Sequence, residues 1–375
     1  MRPFQHGLAI GSDPREVVNV CLAQIGDIEP ATNVGFLYLT DALASELEHI
    51  LHLLQQGTGI QHWYGSTGIA LIGREQEIYD QPALSILLAS LPADGFRTLG
   101  SIRAARDGDR WLAAHEAWLE TSGARFGIVH GDPTNPAIPT LIEKLADALD
   151  GGFFCGGLTS SQTQYLQVAD QITDGGLSGV LLAPEAEVVV GHTQGCSPIG
   201  PVRTITEAAA NIVMEIDGMS ALDAMRQDVG EVLARDLSRL GGFIFAGLPI
   251  RGSDTGDYMI RNLLGIDQQA GRIAIGDRIE PGDQIVFCRR DGNTARDDMQ
   301  RMLDDLKRRC DGRRPRGGIY VSCLGRGRHQ FGEQSQEIGM ITATLGDMPL
   351  TGFFASGEIF HDRIYGYTGV LTLFL

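Results

Sequence analysis

Three cysteines, Cys155, Cys196 and Cys323, each close an apolar run and stand before a turn. A thiolate so placed can act as a nucleophile when a base is near, and His130, His192 and His329 occupy comparable positions. Nothing in the sequence pairs any two of them, and small buried thiols before tight turns serve close packing equally well. No catalytic residue is assigned. Other strand ends carry hydroxyls, glycines and charges: Ser66 and Thr67; Asp132; Gly156, Gly157, Thr159 and Ser160; Gly195 and Ser197; Arg326; Glu358. Together these suit a small polar molecule, with Arg326 forking a carboxylate and Glu358 pairing with an ammonium. The plainer alternative is that Arg326 ties loops together and Glu358 is its ion-pair partner. His6, His62, His130, His192, His329 and His361 lie off obvious helix faces and have the chemistry for metal or haem ligation, although a lone histidine is ordinarily structural.

These residues need strands that stop at turns. Asp13-Pro14 opens a helix, Val34 to Thr40 reads as a buried strand, Ala44 to Gln56 as an amphipathic helix, and Ile60 to Tyr64 as a strand running into Gly65-Ser66-Thr67. Phe126 to Asp132, Ile138 to Leu149 and Gly152 to Cys155 repeat that order. In each unit 26 residues separate a first-strand end, Leu39 or His130, from the glycine ending the second strand, Gly65 or Gly156. A looser third copy runs from Gly318 to Cys323, through a helix at Ser335 to Leu345, to Gly352 and Phe360. The expected fold is α/β, a two-part mixed-sheet protein with repeated strand-helix-strand modules. If the strands are mostly parallel, their carboxyl ends line one pocket. Between the modules come Gly191 to Pro201 (G-H-T-Q-G-C-S-P-I-G-P), a helix at Ser220 to Ala234, several antiparallel strands, a helix at Asp297 to Arg309 and a closing strand.

Composition narrows the partners. Thirty basic against 47 acidic residues give a net charge of −17, which repels phosphate backbones and anionic lipids, so neither nucleic acid nor membrane is an expected partner. The one basic cluster, Lys307 to Arg316, reads as a helix C-terminus favoured by the macrodipole, with an acidic partner surface as the alternative. No continuous apolar leader or long apolar span occurs, so a cytoplasmic location is expected. The six cysteines are scattered without a C-x-x-C pair, which predicts free, mostly buried thiols. Neither a P-loop nor H-E-x-x-H nor G-x-S-x-G is present.

Several segments in order resemble the FIST family: Tyr64 to Pro92, G-D-P with the downstream F-C-G-G-L-T-S-S, Q-G-C-S-P-I-G-P, F-C-R-R-D, C-L-G-R-G-R-H-Q-F-G and G-F-F-A-S-G-E-I. They cover nearly the whole chain. The resemblance implies an N-terminal sensory domain over 1–190 and a C-terminal domain over 191–375. It further implies a small ligand, with amino acids proposed, and output through a separate signalling protein such as a histidine kinase, because no kinase, chemoreceptor or cyclase segment is expected here. Some relatives are described as haem-binding nitric-oxide sensors, which makes haem the alternative cofactor; an enzyme with a cysteine nucleophile is the second alternative. Ser197 stands where the family pattern has an arginine, which changes the charge offered to a ligand.

Overall fold

The local signals carry into three dimensions. In the computed structural model, described over residues 4–230, 243–250 and 258–375, the Glu16 N–H donates to the Asp13 side chain at 2.9 Å, and Pro14 opens the helix Pro14–Ile25. Helix Leu47–Thr58 starts later than expected because Asp41–Glu46 forms a 3-10 turn first. Helix Ala221–Val229 is capped by Ser220 and stops at Gly230, whose φ of 84° suits a C-cap; residues 231–234 of the expected helix lie outside the described residues. Helix Gly292–Arg309 starts before Asp297, because Asp291 accepts the N–H groups of Asn293 and Thr294. Helix Ala105–Ser122 is not among the sequence expectations.

The described residues form two compact units, one of Met1–Gln194 with Asp298–Leu375 and one of Gly195–Asp297. The first contains three six-stranded sheets built to one plan. Each has a parallel pair joined by a helix at its centre: Val34–Thr40 with His62–Gly68, Phe126–Gly131 with Phe153–Leu158, and Gly317–Cys323 with Leu350–Ala355. An antiparallel strand lies beside the first member of each pair: Ala83–Ala89, Leu177–Leu182 or Thr368–Phe374. The outermost strand on that side, Gln5–Ile10, Phe96–Ile102 or Val188–Gln194, opens its module. The α/β fold with repeated strand-helix-strand modules is therefore present three times, and the second unit interrupts the third module.

One feature of the plan is non-local. The hairpin that follows each parallel pair joins a different module's sheet. Leu71–Gly73 of the first pairs with Leu350–Ala355 of the third, Gln167–Ala169 of the second with His62–Gly68 of the first, and Glu358–His361 of the third with Phe153–Leu158 of the second. The exchange closes a cycle. It also means that the sheets are mixed and not mostly parallel, since only the helix crossovers generate parallel neighbours.

Equivalent glycines fix the register. Gly65, Gly156 and Gly352 face Leu37, Val129 and Tyr320, and a Cβ on them would come within 1.6, 1.9 and 1.8 Å of those residues' carbonyl oxygens. The structural counterpart of His130 is thus Tyr38, not Leu39; the equal sequence spacing conceals a one-residue difference in connection length. The inner faces of all three sheets share one core, including Phe36, Tyr64, Ile128, Val321 and Phe353. Helices cover outer faces: Val18, Ile50 and Leu54 pack with Leu37 and Leu39, while Ile142 and Leu145 pack with Val129 and Phe154.

The second unit is antiparallel, as its turn-separated strands predict. Six of its strands, from Arg203–Ala209 to Gln284–Arg290, close on themselves because Ile244–Pro249 pairs with both Tyr258–Asp267 and Gln284–Arg290. Helix Ala221–Val229 shares their apolar core through Leu222 and Met225.

Candidate functional site

Interior positions along equivalent strands differ in polarity. Tyr38 pairs with Ser66 and His130 with Gly157, whereas the third sheet places Val321 beside Phe353. The hairpins add Gln167, Glu358 and Leu71 opposite Ser66, Gly157 and Phe353 respectively. Two sheets thus carry polar groups inward and the third is apolar. Tyr38 Oη lies 3.1 Å from His130 Nε2, and the rings of Tyr38 and His130 both pack on Phe353. Burial holds His130 down to about 3, so its ring is neutral near pH 7.

Most predicted hydroxyls bond within the protein. Ser66 Oγ meets Thr159 Oγ1 at 2.8 Å, and the Gln167 side-chain amide lies 3.3 Å from Thr159 Oγ1. Ser160 accepts the Ile69 N–H at 2.9 Å and donates to the Phe354 carbonyl, while Thr67 reaches the carbonyls of Gln164 and Leu166. Gly157 lets the third sheet approach, since a Cβ there would fall 2.7 Å from Ala355 and Val321 side-chain carbons. Asp132 organises its own turn, accepting from the Thr134 and Gly175 N–H groups. Gly195, Cys196 and Ser197 belong to the second unit, where Cys196–Pro198 pairs with Gln284–Arg290 and the Cys196 carbonyl accepts from the Tyr258 hydroxyl at 2.7 Å.

Three predicted residues are brought together at the carboxyl end of Gly317–Cys323. Glu358 is fully buried, with Oε2 accepting from the Thr368 N–H at 3.1 Å and Thr368 Oγ1 at 2.7 Å, and Oε1 meets no partner among the described residues. Burial pushes its carboxyl up to about 8, against the Thr368 bonds, the nearby Arg326 charge and the Cys323 thiol, so it is largely protonated at neutral pH. Cys323 is partly exposed, accepts from the Gly325 N–H at 3.5 Å, and is raised by burial and by Glu358. That shift opposes thiolate nucleophilicity. All six cysteines are free, and five are buried.

Arg326 is also fully buried, but its ion-pair partner is Glu337, with Nε 2.8 Å from Oε1. Glu337 also accepts from the Tyr320 and Ser322 hydroxyls and the Gly327 N–H. Arg326 lies over the Phe331 ring, and its Nη1 has no partner among the described residues. Sequence reasoning missed Glu337, Tyr320, Thr368 and Gln167. Glu337 has the composition of an ordinary exposed first-turn glutamate, and only the register of its helix on the sheet reveals its burial.

Glu358 implies a measurable pH dependence. The folded-state value lies above the ordinary 4.5, so the folded protein binds this proton more tightly than the unfolded chain does. Its stabilising contribution is complete below about 4.5 and is lost as pH rises through about 8. Replacing Glu358 with Gln should flatten the decline in urea stability between about pH 4.5 and about pH 8; an unchanged slope would place its origin elsewhere. His6 and His130, depressed to about 4 and about 3, act oppositely: their contributions exist above the ordinary 6.5 and fade as pH falls through those values.

Comparison with known sequences decides the family. Residues 33–219 match the FIST N domain and residues 221–361 match the FIST C domain. The chain belongs to the FIST family. FIST domains are associated with sensory signal transduction. Similar curated relatives include Uncharacterized protein Rv0628c of Mycobacterium tuberculosis, 31% identical over 328 residues that cover 83% of each chain. Another is Uncharacterized protein Mb0898c of Mycobacterium bovis, 28% identical over 349 residues covering 90% of this chain and 88% of the relative. The FIST C match contains Cys323, Arg326, Glu337 and Glu358, and the FIST N match contains Ser66, His130 and Thr159.

The environments of His62, His130, His192, His329 and His361 do not fit the haem implied for some FIST relatives. A porphyrin needs an apolar slot with a histidine nitrogen facing it, and His130 is enclosed by Tyr38 and Phe353 with one nitrogen bonded. His62 is backed by Asp170 and lines a cavity of about 300 Å³, at the bottom of the range for ligand pockets. His192 stacks on Phe360, His361 pairs with Asp362, and His329 sits at the edge of Tyr79. Among the described residues no group of three or more His, Cys, Asp and Glu is arranged to hold a metal ion, and no helix is long and apolar enough to cross a membrane.

Proposed function

We propose that this FIST protein is a sensory module that binds a small metabolite, an amino acid or related amine, at the Cys323–Arg326–Glu358 cluster. The observation that carries the reading is the pair of buried polar atoms, Glu358 Oε1 and Arg326 Nη1, without hydrogen-bond partners among the described residues. Leaving such atoms unpaired costs each about 1–3 kcal/mol, a cost that a ligand carrying both an ammonium and a carboxylate would remove. The turn Cys323-Leu324-Gly325, partly exposed, is the approach. Ser66, Thr67, Asp132, Gly156, Gly157, Thr159 and Ser160 then shape and brace the interior around the ligand. Gly195, Cys196 and Ser197 lie in the second unit and enter the reading as part of the same family pattern. Occupancy biases a two-state contact with a separate signalling protein such as a histidine kinase.

An ammonium ligand must meet an ionised Glu358, so binding below pH 8 releases a proton. A screen of amino acids and amines by thermal shift should find a ligand that raises the melting temperature by several degrees, since a hundredfold excess over Kd adds about 2.7 kcal/mol. Calorimetry in buffers of different ionisation enthalpy should report about one proton released per ligand in the wild type and none in Glu358→Gln. No shift from any amino acid or amine would overturn the proposal, as would a ligand whose binding ignores Glu358.

A further inference from the structure

A cavity of about 660 Å³ is lined by His6, Arg74, Arg314, Arg316 and Asp347, with Glu75 at its wall. Three guanidiniums around one cavity run against a chain of 30 basic and 47 acidic residues. Arg314 and Arg316 come from the basic segment whose role the sequence left open, and the structure separates that segment into two parts. Lys307, Arg308 and Arg309 end the helix Gly292–Arg309, where Arg308 pairs with Asp305 and Arg309 donates to the Val190 carbonyl. Arg314 and Arg316 instead precede strand Gly317–Cys323 and turn to the cavity.

Neither Arg74 nor Arg314 forms an ion pair among the described residues, and Arg314 donates only to the Asp347 carbonyl oxygen. His6 Nε2 is buried without a hydrogen-bond partner among the described residues. Burial lowers the His6 pKa, the Arg74 charge lowers it further, and the Asp347 carboxylate on the same cavity partly opposes them. Arg74 also occupies a left-handed backbone position, φ 51°, at the tip of the first hairpin, where glycine or asparagine is the usual residue. A long cation therefore sits where local conformation does not favour it, on the same cavity as an imidazole nitrogen without a partner among the described residues.

We propose that this cavity binds a small metabolite through an oxyanion group, a phosphate or paired carboxylates, held by Arg74 and Arg314 with His6 Nε2 as a neutral donor. Guanidiniums match both groups through parallel N–H bonds, and the volume falls within the range of small-ligand pockets. The site lies beyond the start of strand Gly317–Cys323, whereas the Glu358 cluster lies at its end, about 20 Å away by strand rise. It goes beyond the proposed sensory site and does not depend on it.

Calorimetric titration of the full chain at low ionic strength, with inorganic pyrophosphate in one arm and succinate in the other, tests the proposal and separates the two chemistries. Saturable binding of either is the expected result, weakened at least about tenfold in Arg74→Gly and in Arg314→Ala, as befits loss of a charge-assisted hydrogen bond. Arg110→Ala, which removes an exposed cation outside the cavity, should bind as the wild type does. Arg74→Gly relieves the left-handed backbone position, so it should melt within about 2 °C of the wild type, and a loss of binding cannot then be a loss of fold. Absence of saturable binding in both arms, binding retained in both arginine variants, or equal weakening by Arg110→Ala would each overturn it.

Discussion

Replacing Glu337 with Ala is expected to lower unfolding free energy by about 3–5 kcal/mol, the usual cost of stranding a buried charge. Its carboxylate compensates Arg326 and accepts from Tyr320, Ser322 and Gly327, with both side chains of the pair at 0% exposure. Removing it leaves a guanidinium with one already unpaired nitrogen in a site that excludes water. The double variant Arg326→Met with Glu337→Leu should recover much of the loss, because an apolar pair needs no desolvation of charge. Urea denaturation of the three proteins is the measurement. A loss below about 1 kcal/mol in Glu337→Ala would mean that the pair is hydrated in solution, as exposed pairs are.

Replacing Gly156 with Ala should be at least as damaging. Its φ is 137°, and an added Cβ would lie 1.9 Å from the Val129 carbonyl oxygen, an atom fixed within the sheet. The parallel pair would have to open, so the loss should exceed about 4 kcal/mol and appear as little soluble protein. Gly65→Ala and Gly352→Ala should fail similarly, because their added carbons approach the Leu37 and Tyr320 oxygens to 1.6 and 1.8 Å. Gly100→Ala, with nothing within 4 Å of the added carbon, is the control and should remain soluble. Normal yields from all three strand glycines would refute the equivalence of the modules.

Much of the first unit was legible because its signals are local. Asp13-Pro14 marks a helix start, Val34 to Leu39 is a nearly continuous apolar run that is buried throughout, and the order strand, helix, strand recurs with glycine at the same place. The hairpin exchange was not legible, since no period in the sequence records which sheet a hairpin joins. Helix Ala105–Ser122 was obscured for a different reason: Gly108 is its sole fully buried residue, so its apolar stripe is weak. At the candidate site, Cys323, Arg326 and Glu358 were identified by residue type and position at strand ends. Their relationships were not, because Glu337 reaches Arg326 from the next helix and Thr368 reaches Glu358 from the last strand.

The cyclic exchange of hairpins bears on dissection of the chain. One module alone would expose a sheet edge awaiting a hairpin and would carry a hairpin with no sheet to join, two unsatisfied edges that invite association. Three copies would satisfy one another head to tail and leave neither unpaired, because a heterologous contact that closes after three steps makes a ring. The arrangement has the connectivity of a closed three-membered ring carried on one polypeptide, with Gln167, Glu358 and Leu71 at the same point of the cycle.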